Sequence, residues 1–129
     1  MWKNLEIKSK NVYNVIMIQG IGIDIVDLIR FNGLAMNAQF RIQFFGEVES
    51  QLNAIRLAGR FAAREALFKA TLPKKMFNWS DIEIINTSEG APKFIFKGSA
   101  AKFFESKKIH LSISHLPEYV VAIVIIESI

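Results

Sequence analysis

The chain has 129 residues, no cysteine, 16 Lys+Arg against 12 Asp+Glu, and 51% hydrophobic residues. That size suits one domain around one core; the apolar content excludes intrinsic disorder, and the missing thiols exclude disulfides, thiolate catalysis and Cys-ligated metal sites. The net charge of +4 suits an anionic ligand or an acidic partner, but no Lys/Arg tract of the kind carried by nucleic-acid-binding arms is present.

Residues 1–14 are polar and weakly patterned and read as a loosely ordered lead-in. They carry charges of both signs and lack an apolar run before a small-residue cleavage site, so they do not read as a secretory signal. The longest apolar stretch, Val15 to Ile29, is interrupted by Gln19, Asp24 and Asp27, whereas a membrane span needs roughly 20 largely uncharged residues. The expected location is the cytoplasm. Residues 15–26, VIMIQGIGIDIV, are rich in β-branched side chains and predict a strand. Asp27 then has the character of an N-cap for a helix over residues 28–36. Residues 37–53 carry no clear period and read as short helical pieces.

Residues 54–71, AIRLAGRFAAREALFKAT, are dominated by strong helix formers, and Pro73 marks the end of that helix. Asp81–Asn86 and Pro92–Phe96 alternate around the turn residues SEGAP and predict a hairpin or wide turn. A short helix over 98–106 and two strands, Ile109–His115 and Glu118–Glu127, complete the chain. Short connections among the late strands imply antiparallel pairing. The expected fold is therefore α+β, a single domain in which an antiparallel sheet packs with one long helix and several short ones. Eleven Phe residues are many for so small a surface, and some of them are expected at a subunit interface. Gly20 and Gly22 do not complete a dinucleotide fingerprint, and no Walker loop is present.

Chemistry enters first at Asp24. A carboxylate inside the apolar run IGIDIV needs a cation, a metal or several donors if it is buried; as a strand-end cap it would be redundant with Asp27. Glu65 shares a helix face with Phe61 and Lys69, four residues to either side. It reads either as half of a solvated Glu–Lys pair or as a carboxylate turned into a half-buried groove. Opposite Asp24 it would give two hard oxygen donors of the kind Mg²⁺ accepts beside water and substrate phosphate. Arg56, Arg60 and Arg64 recur every fourth residue, either as a solvated basic face or as an anion cradle. HLSISH places His110, Ser112 and Ser114 on one strand face and His115 on the other, which is not a metal pair and supports no Ser–His–Asp arrangement.

The blocks GIGIDIVDLIRF, RLAGRFAAREALFKA, SEGAPKF and HLSISHLPEYVVAIVIIE, in this order from Gly20 to Glu127, resemble the holo-acyl-carrier-protein synthases, the small trimeric 4′-phosphopantetheinyl transferases. The resemblance implies transfer of the phosphopantetheine arm of coenzyme A to a serine of apo acyl carrier protein, with release of adenosine 3′,5′-bisphosphate, in fatty acid biosynthesis. It implies Asp24 and Glu65 as Mg²⁺ ligands and Lys69 as a catalytic phosphate contact. It makes Arg60 and His115 coenzyme A contacts, adds His110, Arg64 and Arg56 more weakly, and turns Arg30 toward the acidic carrier protein. It also implies a homotrimer with sites between subunits, where a neighbour's Arg60 or Arg56 completes the phosphate cradle. The family's glycine-rich loop after the long helix is replaced here by ATLPKKMFNW, where Lys74 and Lys75 are candidate substitutes. If that loop limits catalysis, the alternative is a coenzyme A- and carrier-protein-binding relative with weak transfer. No aromatic-plus-glycine signature supports nucleic-acid binding.

Overall fold

The computed structural model describes residues 16–71 and 77–128. The lead-in over 1–14, and Pro73, Lys74 and Lys75 of the replaced loop, lie outside the described residues. Strand β1 (Ile18–Asp27) is followed by α1 (Leu28–Ala35), α2 (Ala38–Glu49) and α3 (Ala54–Thr71). A 3₁₀ turn (Trp79–Asp81) leads to the hairpin β2 (Ile82–Asn86) and β3 (Pro92–Phe96), then α4 (Gly98–Phe104), β4 (Lys107–His115) and β5 (Tyr119–Ser128). The α+β expectation holds, and α3 has the predicted bounds.

The starts of α1 and α2 follow side-chain capping. Asp27 Oδ1 accepts from the amides of Ile29 at 2.9 Å and Arg30 at 3.2 Å, and Asn37 Oδ1 does the same for Gln39 and Phe40 at the head of α2. The ambiguous stretch 37–53 becomes a helix interrupted at Gly46, whose φ of 76° breaks the turn. An L side chain rarely adopts that conformation.

One antiparallel sheet has the order β1-β5-β4, and β2 and β3 pair separately. Register fixes which residues share a face. Ile23 lies opposite Ile123 of β5, which lies opposite Ser112 of β4. The inner face of β5 presents Val120, Ala122, Val124 and Ile126, all buried. The helix α3 covers this face, and its stripe Ala58, Ala62, Ala66 and Ala70 lets the backbones come close. Closest approach is at β1. A Cβ on Gly22 would fall 1.7 Å from the carbonyl oxygen of Ala66, and one on Gly20 would fall 1.9 Å from that of Ala70.

Away from the sheet, α3 buries its other side in an aromatic cluster. Phe44 stacks on Phe61 at 5.2 Å, and Phe68 lies between Phe77 and Trp79 at 5.3 and 4.6 Å. The Trp79 indole N–H donates to the carbonyl of Phe44 at 3.0 Å. This corrects the expectation about phenylalanine: all eleven are buried or half-buried, because rings from α1, α2, α3, β3 and α4 pack on one another. The exposed apolar surface is aliphatic instead. Ile21, Ile23 and Ile25 project from the outer sheet face and are 60%, 58% and 63% exposed, beside exposed Ile123 and half-buried Val121 and Ile125.

Candidate active site

Alternation along β1 turns Asp24 to the inner face, between Gly22 and Val26. Because the two glycines admit α3 so closely, Lys69 from its last turns reaches that carboxylate. The Lys69 ammonium donates to Asp24 Oδ1 at 2.8 Å and to the carbonyl of Ile23 at 3.0 Å. The pair is asymmetric: the Asp24 side chain is 14% exposed and that of Lys69 49%, so the cation stands at the mouth and the anion below it. One and two turns earlier on the helix, Glu65 and Phe61 join Asp24, Asp27, Arg30, Leu34 and Tyr119 around a cleft of about 470 Å³. Both sequence-predicted carboxylates and Arg30 thus line one depression.

A second cavity, about 290 Å³, opens between the start of α3 and the β2–β3 hairpin. Arg56, Arg60 and His115 line it with Gly59, Asn86 and Gly90. The first turn of α3 is set by Asn53, whose Oδ1 accepts from the amide of Arg56 at 3.0 Å. Arg60 is buried, and its Nη2 donates to Asn86 Oδ1 at 2.8 Å. Burial pushes the Arg60 guanidinium below its ordinary value; the Glu49 carboxylate opposes this shift, while the positive charges of Arg64 and Arg56 add to it. A guanidinium starts far above neutrality and stays charged, so a buried cation faces a cavity of phosphate-accepting character. A larger open groove of about 890 Å³ between α1, α2 and the head of α3 is lined by none of the candidate site residues.

A carboxylate cleft with a lysine paired to one of its carboxylates, and a cavity with two arginines and a histidine, have the charge that phosphate groups and a cation would need. A family model described as the 4′-phosphopantetheinyl transferase superfamily matches residues 20–124. The chain belongs to that superfamily. Among its relatives, the holo-[acyl-carrier-protein] synthase of Leifsonia xyli is 38% identical over 115 residues, spanning 86% of this chain and 98% of that protein. The synthase of a Geobacillus species is 43% identical over 122 residues, spanning 86% and 98%. Similar solved structures include the Neisseria meningitidis synthase, with TM-score 0.78, 30% identity and coverage of 87% of this chain and all of that one. The Bacillus anthracis synthase in complex with coenzyme A (3′,5′-ADP) gives TM-score 0.70 and 35% identity over 88% and 99%.

Two of the expected ligand contacts of this transferase lie elsewhere. Arg64 is 1% exposed and does not join the second cavity. Its Nη2 donates to Glu49 Oε1 at 2.9 Å and to the carbonyl of Ile82 at 2.8 Å, and its guanidinium lies 5.4 Å from the Phe45 ring centre. Glu49 Oε1 also accepts from the amide of Ile84 at 2.9 Å. Arg64 is therefore an internal strut joining α2, α3 and β2. His110 also stands apart from the second cavity. It faces the outer side of the sheet, opposite the face of His115, and contacts Glu127 at 2.6 Å. Asn86 and Glu49 were not singled out in the sequence. A polar residue at a strand end and an acidic residue in a weakly patterned segment carry no local signal; only the folded partner reveals either.

Proposed function

We propose that this chain transfers the 4′-phosphopantetheine arm of coenzyme A to a serine hydroxyl of an apo acyl carrier protein, in the cytoplasm and in the service of fatty acid biosynthesis. The observation that carries the reading is Asp24, which lines one cleft with Glu65 and accepts from the Lys69 ammonium at 2.8 Å. The bond from the serine oxygen to the pantetheine-bearing phosphorus forms as the pyrophosphate P–O bond breaks. Adenosine 3′,5′-bisphosphate leaves with the bridging oxygen, and the serine proton passes to a carboxylate of the cleft or to water. Charge develops on phosphoryl oxygens, so fixed cations carry most of the catalysis. Lys69 serves the transferring phosphate from the mouth of the cleft; Arg60, Arg56 and His115 serve the nucleotide phosphates from the second cavity.

Asp24 and Glu65 fit a hard divalent cation such as Mg²⁺. Mg²⁺ typically takes one or two carboxylates and fills its remaining positions with water and substrate phosphate. Such an ion would supply charge stabilisation on the pyrophosphate.

Assembly as a homotrimer is part of the reading. The carboxylate cleft and the arginine cavity lie on different sides of α3 and share no lining residue within one chain. The exposed Ile21, Ile23, Ile25 and Ile123 supply an apolar sheet face for closed cyclic contact. A neighbour's Arg60 or Arg56 would then complete the cleft. Arg30, exposed at the rim of the cleft, meets the acidic carrier protein.

A transfer assay with apo carrier protein, coenzyme A and Mg²⁺ tests the proposal. Asp24→Ala and Glu65→Ala are each expected to lower kcat at least about a hundredfold, and the double variant little further, as for residues acting on one centre. Multiplying losses, or near-wild-type turnover in either single variant, would overturn the shared site.

A further inference from the structure

One side chain touches both walls of the arginine cavity. Asn86 ends β2, accepts from Arg60 Nη2 at 2.8 Å through its Oδ1, and donates from its Nδ2 to the carbonyl of Gly90 at 3.0 Å. Gly90 stands in the hairpin turn with φ of 87°, where its amide donates to the carbonyl of Thr87 at 2.8 Å. The turn thus has its own backbone closure, and Asn86 fastens it to the helix cation across 26 positions of sequence.

An arginine side chain carries about 2 kcal/mol of rotamer entropy, and an acceptor that fixes the guanidinium beforehand reduces what ligand binding must order. The acceptor here is a neutral amide. A carboxylate at the same place would hold the guanidinium equally well but would cancel the charge that an anionic ligand needs. Burial already bears on the Arg60 charge, so a neutral partner is the one that leaves it available.

We infer that Asn86 is a positioning residue for coenzyme A binding: held to the hairpin turn through Gly90, it fixes the Arg60 guanidinium toward the cavity. The inference rests on the reading that Arg60 contacts coenzyme A. Three variants of the full chain test it: Arg60→Ala, Asn86→Ala and the double variant. Coenzyme A affinity is measured by titration calorimetry, kcat and both KM values by transfer assay, and integrity by thermal unfolding. Asn86→Ala is expected to unfold near the wild-type temperature, since the residue is exposed at a strand end. It should raise Kd and KM for coenzyme A five- to tenfold and leave kcat and the carrier-protein KM unchanged. Arg60→Ala should raise both constants further, and the double variant should match Arg60→Ala alone, because a residue acting through Arg60 has nothing left to position. Wild-type affinity in Asn86→Ala, or losses that multiply in the double variant, would overturn the inference and leave the Arg60 reading standing. Unchanged affinity in Arg60→Ala would overturn the reading beneath it.

Discussion

Gly22→Ala is the sharpest test of how the site is built. The new Cβ would lie 1.7 Å from the carbonyl oxygen of Ala66 and 2.8 Å from the amide nitrogen of Ala70, and both obstacles are helix backbone that no rotamer change can move. An ordinary close carbon–oxygen approach is about 3.3 Å, so α3 would have to retreat from β1 by about 1.6 Å. Overpacking of this kind costs about 1–3 kcal/mol even where side chains can give, and here the lower bound is the less applicable one. The same retreat pulls Lys69 off Asp24 and shifts Glu65, and a misplacement of about 1 Å can lower a rate about a hundredfold. Gly33→Ala is the matched control. It lies on an exposed face of α1 with nothing within 4 Å of its Cβ, and it should stabilise by about 0.4–1 kcal/mol. Urea unfolding followed by circular dichroism gives both stabilities, and the transfer assay gives the rate. A Gly22→Ala chain within about 0.5 kcal/mol of wild type and fully active would refute the argument that backbone contact sets the geometry of the cleft.

Two further outcomes follow from surface chemistry. Arg30→Glu should raise the carrier-protein KM about five- to tenfold, flatten its salt dependence and leave the coenzyme A KM unchanged, since complementary rim charge acts mainly on encounter; a raised coenzyme A KM instead would move Arg30 to the other substrate. Ile123→Lys, at the centre of the outer sheet face, should give monomers by light scattering and take activity with them; an active monomer of this variant would refute sites shared between subunits.

The sequence made some levels of this structure readable and hid others. The bounds of α3 were legible because strong helix formers dominate residues 54–71 and Pro73 follows; Asn53, which caps its first turn, was not singled out. The two-sided apolar character of β5 and the alternation that separates His110 from His115 follow from a period of two and needed no tertiary information. Asp24 was legible as a charge in an apolar run, and its partner Lys69 only as a helix neighbour of Glu65. Arg64 was misleading. It shares the four-residue spacing of Arg56 and Arg60, but spacing states which residues share a helix line and not how far that line curves into the core. Its fate is set by Glu49, fifteen positions away in a helix with almost no amphipathic signal. A counting argument expected some phenylalanines at a subunit interface, but rings from five elements pack on one another, leaving the exposed sheet face to isoleucine.

Strand β1 carries Asp24 on one side and Ile23 and Ile25 on the other, so adjacent positions in sequence belong to different tasks. A substitution at an even position strikes the face that carries Asp24, and one at an odd position strikes the exposed aliphatic face. Inserting or deleting a single residue exchanges the two sets at once, driving a carboxylate into the aliphatic face and a branched side chain into the space that Gly22 leaves for α3. Length variation in β1 is therefore closed to viable descendants of this chain, while the joints flanking α2 remain places where the chain can grow.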